Sequence, residues 1–191
     1  MSYIPDLTKE ELNSYPIYEH DGNIHVISSA EEADRVAALL SAESYIGFDT
    51  ETRPAFSRGV SYKVALLQLA TSKDAYLFRL HHTGITNSMA ALLSDIRVTK
   101  IGVALNQDIQ GLKKWKPFRA AGFVDLQDFV KPFGINSNGL SKLSAIVLGY
   151  RVSKGQQLSN WENDELTPAQ CKYAATDAWV SYFIYNRLIS I

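Results

Sequence analysis

The sequence contains a single cysteine, Cys171, and only four histidines among its 191 residues. One thiol cannot form a disulfide within the chain, and zinc sites are usually built from several Cys or His ligands. These shortages exclude an internally disulfide-bonded fold and a multi-cysteine zinc site, and they argue against a metal site made of histidines. Oxygen ligands remain available, because the chain carries 20 Asp and Glu residues.

Net charge and long apolar segments are also scarce. Lys and Arg total 19 and Asp and Glu total 20, which gives a formal net charge of −1, so overall charge does not draw the chain to nucleic acid or to an anionic membrane. The most apolar segments, Val64–Ala70 and residues 145–148, are far shorter than the ~20 residues of a membrane helix. The polar N-terminus, with Asp6 and Glu10, does not resemble a secretory signal. We therefore predict an intracellular, cytoplasmic protein without a membrane partner.

The length and the 46% hydrophobic content fit one domain with a substantial core. Pro5, Pro16 and the turn signal Asp21-Gly22 predict that residues 1–23 form a leader packed on the domain. Residues 24–191 are predicted to form the domain itself.

Hydrophobic periodicity and turn residues predict both strands and helices. Ser29, three residues before Glu32, has the spacing of a capping box and starts a predicted helix. Thr167-Pro168 starts a long one, because Pro is favoured in the first helical turn. The predicted strands are 25–28, 45–50, 62–71, 75–78, 99–104 and one near 123, and the predicted helices are 29–43, 89–94, 107–115, 139–148 and 167–188.

The order of these elements predicts the fold class. Strands come first, in a meander, and are followed by alternating helices and strands and then by a helical tail. This order is typical of an α/β fold with a mixed sheet of about five to six strands flanked by α-helices. Ligands of such sheets bind outside the carboxyl ends of the strands, so we expect the site there.

Asp49 and Glu51 lie two residues apart at the end of a predicted strand. Because strand side chains alternate, both carboxylates point to one face. Two converging like charges favour a bound cation, a basic partner or a raised pKa. A strand that ends in a solvated turn would give the same pattern, and the pair alone does not separate these interpretations.

Asp108 follows another predicted strand, and Tyr173 and Asp177 lie one turn apart on the final helix. Each has an ordinary interpretation, because acids favour the first turn of a helix and a helical tyrosine is usually part of the core. Together, however, four carboxylates from one strand and two helices form the ligand set that two hard divalent cations require. Two such ions support displacement at a phosphodiester, with the phenol orienting the water.

Three segments, in order and spacing, resemble the exonuclease motifs of the DEDD superfamily. They are FDTE at 48–51, IGV at 101–103 followed by Asp108, and YAATDA at 173–178. The tyrosine in the third motif is typical of the DEDDy subfamily within the DnaQ-like, ribonuclease H-like superfamily. Within it the chain is most similar to exonuclease domains of the Werner helicase type and more distantly to RNase D. The segments LLQL at 66–69, LSKL at 140–143 and SNW at 159–161 add to the resemblance, which runs from about residue 24 to 188.

The resemblance implies a ribonuclease H-like fold and metal-dependent 3′-to-5′ hydrolysis of DNA or RNA that releases nucleoside 5′-monophosphates. It implies two divalent cations, Mg²⁺ or Mn²⁺, with Asp49 bridging both. Glu51 and Asp177 would complete the ion on the nucleophile side, Asp108 would hold the second ion, and Tyr173 would position the water. The implied partner is nucleic acid with a free 3′ end, with a separate helicase as a further expected partner.

Substrate contacts and alternatives are less defined by the sequence. Arg53 and Lys154, close in sequence to the motifs, are the candidate phosphate contacts. The choice between DNA and RNA, and the oligomeric state, stay open. Two other functions are considered: a non-catalytic nucleic-acid-binding module of the same fold, and a phosphotransferase with Asp49 as nucleophile. Glu51 disfavours the latter, because such loops usually carry a second Asp at that position.

Overall fold

The computed structural model describes residues 3–191 and shows one six-stranded mixed sheet with helices on both faces. A separate two-stranded pair lies at its side. The strands are β1 (Ile17–Tyr18), β2 (Asn23–Ile27), β3 (Tyr45–Thr52), β4 (Val64–Ala70), β5 (Asp74–Arg79), β6 (Thr99–Gly102), β7 (Phe123–Asp125) and β8 (Arg151–Val152). The helices are α1 (Lys9–Ser14), α2 (Ala30–Leu40), α3 (Leu80–Thr83), α4 (Asn87–Ser94), α5 (Asn106–Lys113), α6 (Leu126–Phe129), α7 (Leu140–Leu148) and α8 (Pro168–Ile189), with a 3₁₀ turn at Lys131–Phe133.

The large sheet has the strand order β2-β5-β4-β3-β6-β7. β3, β4 and β5 form the predicted antiparallel meander, whereas β2 pairs parallel to β5, and β6 and β7 continue parallel to β3. The predicted α/β class, with a mixed sheet of about six strands, is confirmed. β3 lies in the interior of the sheet and ends at the point where β6 and β7 also end, which places several carboxyl ends side by side.

The predicted element boundaries differ from those of the structure by up to three residues. The helix predicted over 29–43 ends at Leu40, and the predicted strand 99–104 ends at Gly102. At the latter point Ala104 adopts a positive φ of 58°, and its N–H donates to Asp125 Oδ1 at 3.1 Å. A left-handed residue breaks the strand, so the chain turns directly into α5. The short elements β1, β8, α1, α3 and α6 and the 3₁₀ turn were not predicted.

α8 packs directly on β3 because the residues between them are small. A Cβ on Gly47 would lie only 1.9 Å from the carbonyl oxygen of Ala178, and Ala174 and Ala178 are fully buried. Thr167 caps the start of the helix in a capping box with Gln170. The close approach brings side chains of α8 to the end of β3.

The two faces of the sheet carry separate cores. One core contains buried residues of α2, α4 and α5, and Phe48 of β3 packs there. The other core lies mainly between the sheet, α7 and α8, where Leu143 and Ile184 are fully buried. Nowhere between residues 3 and 191 does a helix combine the length and the apolar character that a bilayer crossing requires.

The segment before β2 lies against the domain. β1 pairs parallel to β8, and Asn136 N–H donates to the carbonyl of Pro5 at 2.7 Å. Asp6 accepts from Lys142 Nζ at 2.9 Å. These contacts place residues 3–23 beside the connection between the 3₁₀ turn and α8.

Candidate active site

The end of β3 and the middle of α8 bring three carboxylates together. Asp49, Glu51 and Asp177 each present one ligand oxygen, and these oxygens all lie within 4.8 Å of one another. Asp49 and Glu51 share the face of β3 that is turned to α8, as the alternation of strand side chains predicts. Carboxylate oxygens grouped in this way are ligands that a divalent cation accepts.

The charge state of the cluster is strongly perturbed. Burial and the negative charges of Asp49, Asp177 and Asp108 raise the pKa of Glu51 to about 10. Burial raises the pKa of Asp177 to about 7, and burial with the charges of Asp177 and Asp108 raises the pKa of Asp49 well above its ordinary value. The cluster therefore favours either bound protons or bound cations, which lower the cost of buried negative charge.

One oxygen of the cluster is also left without a partner. Asp177 is 6% exposed, and its Oδ1 accepts no hydrogen bond from any residue in the described range 3–191. A buried carboxylate oxygen without a donor is costly. The three carboxylate oxygens within 4.8 Å of one another and the Asp177 Oδ1 that is unpaired among residues 3–191 both fit a bound divalent cation.

Tyr173 lies one helical turn before Asp177 on α8 and lines the same cleft. Burial and the nearby charges of Asp177, Glu51 and Asp49 raise the pKa of its phenol. The hydroxyl therefore stays protonated at neutral pH and keeps a proton to donate. The sequence placed this group beside the carboxylates, and the structure places it there too.

Asp108 lies close to the cluster but outside the group of three. It occupies the first turn of α5, and its Oδ1 accepts a hydrogen bond from the hydroxyl of Thr50. Burial raises its pKa. Thr50 points to the face of β3 opposite Asp49, so Asp108 approaches the end of the strand from the other side.

Two residues that the sequence did not single out hold this arrangement. Thr50 fixes the Asp108 carboxylate, and Asp125 accepts the backbone N–H groups of Ala104 and Leu105 at 3.1 and 3.0 Å. Asp125 thereby holds the turn that leads into α5. Asp125 lies at the end of β7, which pairs with β6. The sequence alone could not indicate its role, because that role depends on the order of the strands in the sheet.

The two candidate substrate contacts have different surroundings. Lys154 is exposed and lines a cleft of about 910 Å³ that also contains Asp49, Glu51, Tyr173 and Asp177. Arg53 lies instead in a neighbouring groove of about 250 Å³, where its guanidinium donates to Glu162 at 3.2 Å and lies 4.8 Å from the ring centroid of Tyr62. The structure therefore brings Lys154, but not Arg53, to the cleft that holds the carboxylates.

Sequence comparison shows which known proteins this chain resembles. The sequence profile of a family described as 3′-5′ exonuclease matches residues 24–191. "Exonuclease 3'-5' domain-containing protein 2" of Drosophila melanogaster is 37% identical over 175 residues, which cover 86% of this chain and 30% of that protein. "Bifunctional 3'-5' exonuclease/ATP-dependent helicase WRN" of Mus musculus is 30% identical over 186 residues, or 92% of this chain and 13% of that protein.

A solved structure agrees with both sequence comparisons. The Nibbler EXO domain of Aedes aegypti superposes with a TM-score of 0.78 at 25% sequence identity, over 93% of this chain and 92% of that chain. The chain thus spans less than a third of each of the two curated relatives, but nearly all of a separately crystallised exonuclease domain.

Proposed function

The chain belongs to the 3′-5′ exonuclease family, in its DEDDy branch, and from that premise we propose that it hydrolyses DNA or RNA from the 3′ end and releases nucleoside 5′-monophosphates. One observation carries the proposal: the carboxylates of Asp49, Glu51 and Asp177 converge within 4.8 Å. Lys154 and the half-buried phenol of Tyr173 line the same cleft. Such a cleft suits a negatively charged substrate only after cations have offset the carboxylates.

We further propose that the carboxylates hold two divalent cations, Mg²⁺ or Mn²⁺. Asp49 would contact both, Glu51 and Asp177 would hold one of them, and Asp108 would hold the other. Bound cations supply charge neutralisation at the scissile phosphate and lower the cost of the developing negative charge. The raised pKa values of the cluster support this assignment, because cations would replace the protons that it otherwise keeps.

The side chains of the cleft have distinct proposed tasks. Tyr173, as a protonated phenol, orients the attacking water by a hydrogen bond. Lys154 contacts a backbone phosphate and draws the 3′ end into the cleft. Arg53 contacts a phosphate farther along the strand, provided that it leaves Glu162. Residues 1 and 2 of the predicted leader lie outside the described residues, and we propose that residues 3–23 act as an arm packed on the domain. We also propose that a separate helicase supplies the free 3′ end.

The proposed function is tested with 5′-labelled DNA and RNA oligonucleotides, single-stranded and 3′-recessed, in Mg²⁺, Mn²⁺ or EDTA. We expect a ladder that shortens from the 3′ end in the presence of metal only. The preferred sugar and strandedness are read from the same gel. Intact oligonucleotides under every metal, from a folded protein, would instead support the non-catalytic binding module.

Tyr173→Phe is expected to lower kcat roughly 10- to 100-fold with little change in KM, because the ring remains while the water loses its hydrogen-bond partner. Steady-state degradation of the preferred oligonucleotide measures both constants. Tyr185→Phe, at another partly buried tyrosine on α8, is the matched control and should leave kcat unchanged. Equal kcat for Tyr173→Phe and the wild type would contradict the assigned task.

Lys154→Ala is expected to raise KM roughly 5-fold and to reduce the salt dependence of binding by about one phosphate contact. Arg53→Ala should have a smaller effect, because its guanidinium already binds Glu162. The measurement is KM across a series of salt concentrations. Lys131→Ala, at an exposed lysine paired with Asp128, is the control. A salt slope that is the same for Lys154→Ala and the control would show that Lys154 contacts no phosphate.

A further inference from the structure

Gln68 is a buried polar residue without a task in the mechanism described above. It lies in the middle of β4 and is 0% exposed. Across residues 3–191, neither its amide nitrogen nor its amide oxygen has a hydrogen-bond partner. Because nearly all buried polar side chains in proteins are paired, an amide left in this state calls for a ligand or a function.

The amide of Gln68 lies on the same side of the sheet as Asp49. The two residues are direct partners in the antiparallel pair of β3 and β4. Cross-strand partners project from one face, with Cβ atoms roughly 4.5 to 5.5 Å apart. Leu67 and Leu69, the neighbours of Gln68 along β4, belong to the core on the opposite face. The side chain of Gln68 is therefore within reach of the Asp49 carboxylate.

Gln68 also lies beneath the turn of α8 that carries Asp177. The residues two before and two after it on β4 both pack against this part of the helix. Gln68 lies between these two residues on β4. Asp177, on the facing turn of α8, has the buried Oδ1 that accepts no hydrogen bond from residues 3–191. Leu66 belongs to one buried cluster with Ala174, and Ala70 belongs to another with Ala178.

We propose that Gln68 is a positioning residue for the carboxylates that hold the cations. Its amide nitrogen carries two N–H donors, and ionised carboxylates only accept. Through one buried water, these donors hold oxygens of Asp49 and Asp177 that the cations do not use. A hydrogen bond of this kind fixes the orientation of a ligand and so strengthens cation binding. The proposal rests on the proposed function, since it assigns cations to these carboxylates.

The opposite end of the amide has a matching donor. Trp161 is 1% exposed, and its indole N–H has no acceptor in the described part of the chain, residues 3–191. The ring packs in one cluster with Leu66 and Leu77, and Leu77 is the partner of Gln68 on β5. An indole only donates and a carboxylate only accepts. In the proposed arrangement the amide oxygen faces Trp161 and the amide nitrogen faces the carboxylates.

The test compares Gln68→Met with the wild type, because methionine has a similar length but makes no such hydrogen bond. We expect the Mn²⁺ Kd, measured by titration calorimetry, to rise about 10-fold. The kcat should fall by a similar factor, while KM for the oligonucleotide stays within about twofold. The Tm of the metal-free variant should change little, because methionine fills a similar buried volume. Leu67→Met, on the opposite face of β4, is the control and should change neither Kd nor kcat.

A Mn²⁺ Kd and a kcat for Gln68→Met within twofold of the wild type would overturn the proposal. A purely structural role for Gln68 would lower the Tm and the folded fraction but leave the Mn²⁺ Kd unchanged. Gln68→Leu repeats the measurement if the methionine variant does not fold. If the wild type binds Mn²⁺ but degrades no oligonucleotide, the proposed function fails while the Mn²⁺ comparison still decides the role of Gln68. Lack of Mn²⁺ binding by the wild type would overturn both.

Discussion

Asp49→Asn is expected to lower the rate of oligonucleotide hydrolysis roughly 10³-fold or more, while the protein stays folded. The Asp49 carboxylate lies within 4.8 Å of Glu51, on the same face of β3, and of Asp177 on α8. An amide at this position removes one negative charge and one of the oxygens that would hold both cations. Single-turnover rates at saturating Mg²⁺ or Mn²⁺ measure the loss.

The matched control for this variant is Asp128→Asn, on the exposed surface of α6 beside Lys131. It makes the same chemical change far from the cleft and should retain the rate of the wild type. Circular dichroism of both variants checks that the fold is retained. Hydrolysis by Asp49→Asn at more than about a tenth of the wild-type rate would show that the cluster does not carry the chemistry.

Asp177→Asn is expected to stabilise the metal-free protein at pH 8 and also to remove its activity. The folded protein raises the pKa of Asp177 from 3.8 to about 7. At a pH between these two pKa values, Asp177 keeps its proton in the folded state but has lost it in the unfolded state. The free energy of unfolding therefore falls as pH rises through this range. At pH 8 the wild type bears the full cost of this buried charge. Removal of the charge should contribute on the order of 2 kcal/mol, or roughly 4 to 8 °C in Tm.

Calorimetry in EDTA between pH 4 and pH 8 measures this effect. The difference in Tm between Asp177→Asn and the wild type should be small at pH 4 and grow through pH 7. Added Mg²⁺ should raise the Tm of the wild type more than that of the variant, because bound ligand stabilises the folded state that binds it. A variant that is equally stable or less stable than the wild type at pH 8 in EDTA would contradict the electrostatic description of the cluster.

The part of the site that follows from sequence is the part set by local periodicity. Asp49 and Glu51 share a face because strand side chains alternate, and Tyr173 and Asp177 share a face because they lie four apart on a helix. The small residue Ala174 between the latter two already indicated that the helix packs closely on another element. The family motifs then related these pairs to each other.

The rest depends on contacts between distant segments. The pairing of Asp49 with Gln68 needs the register of β3 on β4, and the contact of Arg53 with Glu162 joins residues 109 positions apart. Arg53 was predicted as a substrate contact from its position after Glu51, but long-range pairing places it in the neighbouring groove. The periodicity of hydrophobic residues and the turn residues do not determine which distant segments pair. The pairing of Asp49 with Gln68 and of Arg53 with Glu162 is therefore seen only in the folded chain.

The most direct test of the proposed chemistry follows the first nucleotide released. An oligonucleotide labelled with ³²P at its last internucleotide phosphate is incubated with the protein and Mg²⁺ or Mn²⁺, and the labelled product is identified by thin-layer chromatography. Hydrolysis from the 3′ end by the Asp49, Glu51 and Asp177 cluster predicts that the label first appears as a nucleoside 5′-monophosphate, and only with metal present. Label that appears in a longer fragment or a nucleoside 3′-monophosphate, or release that continues in EDTA, would contradict it.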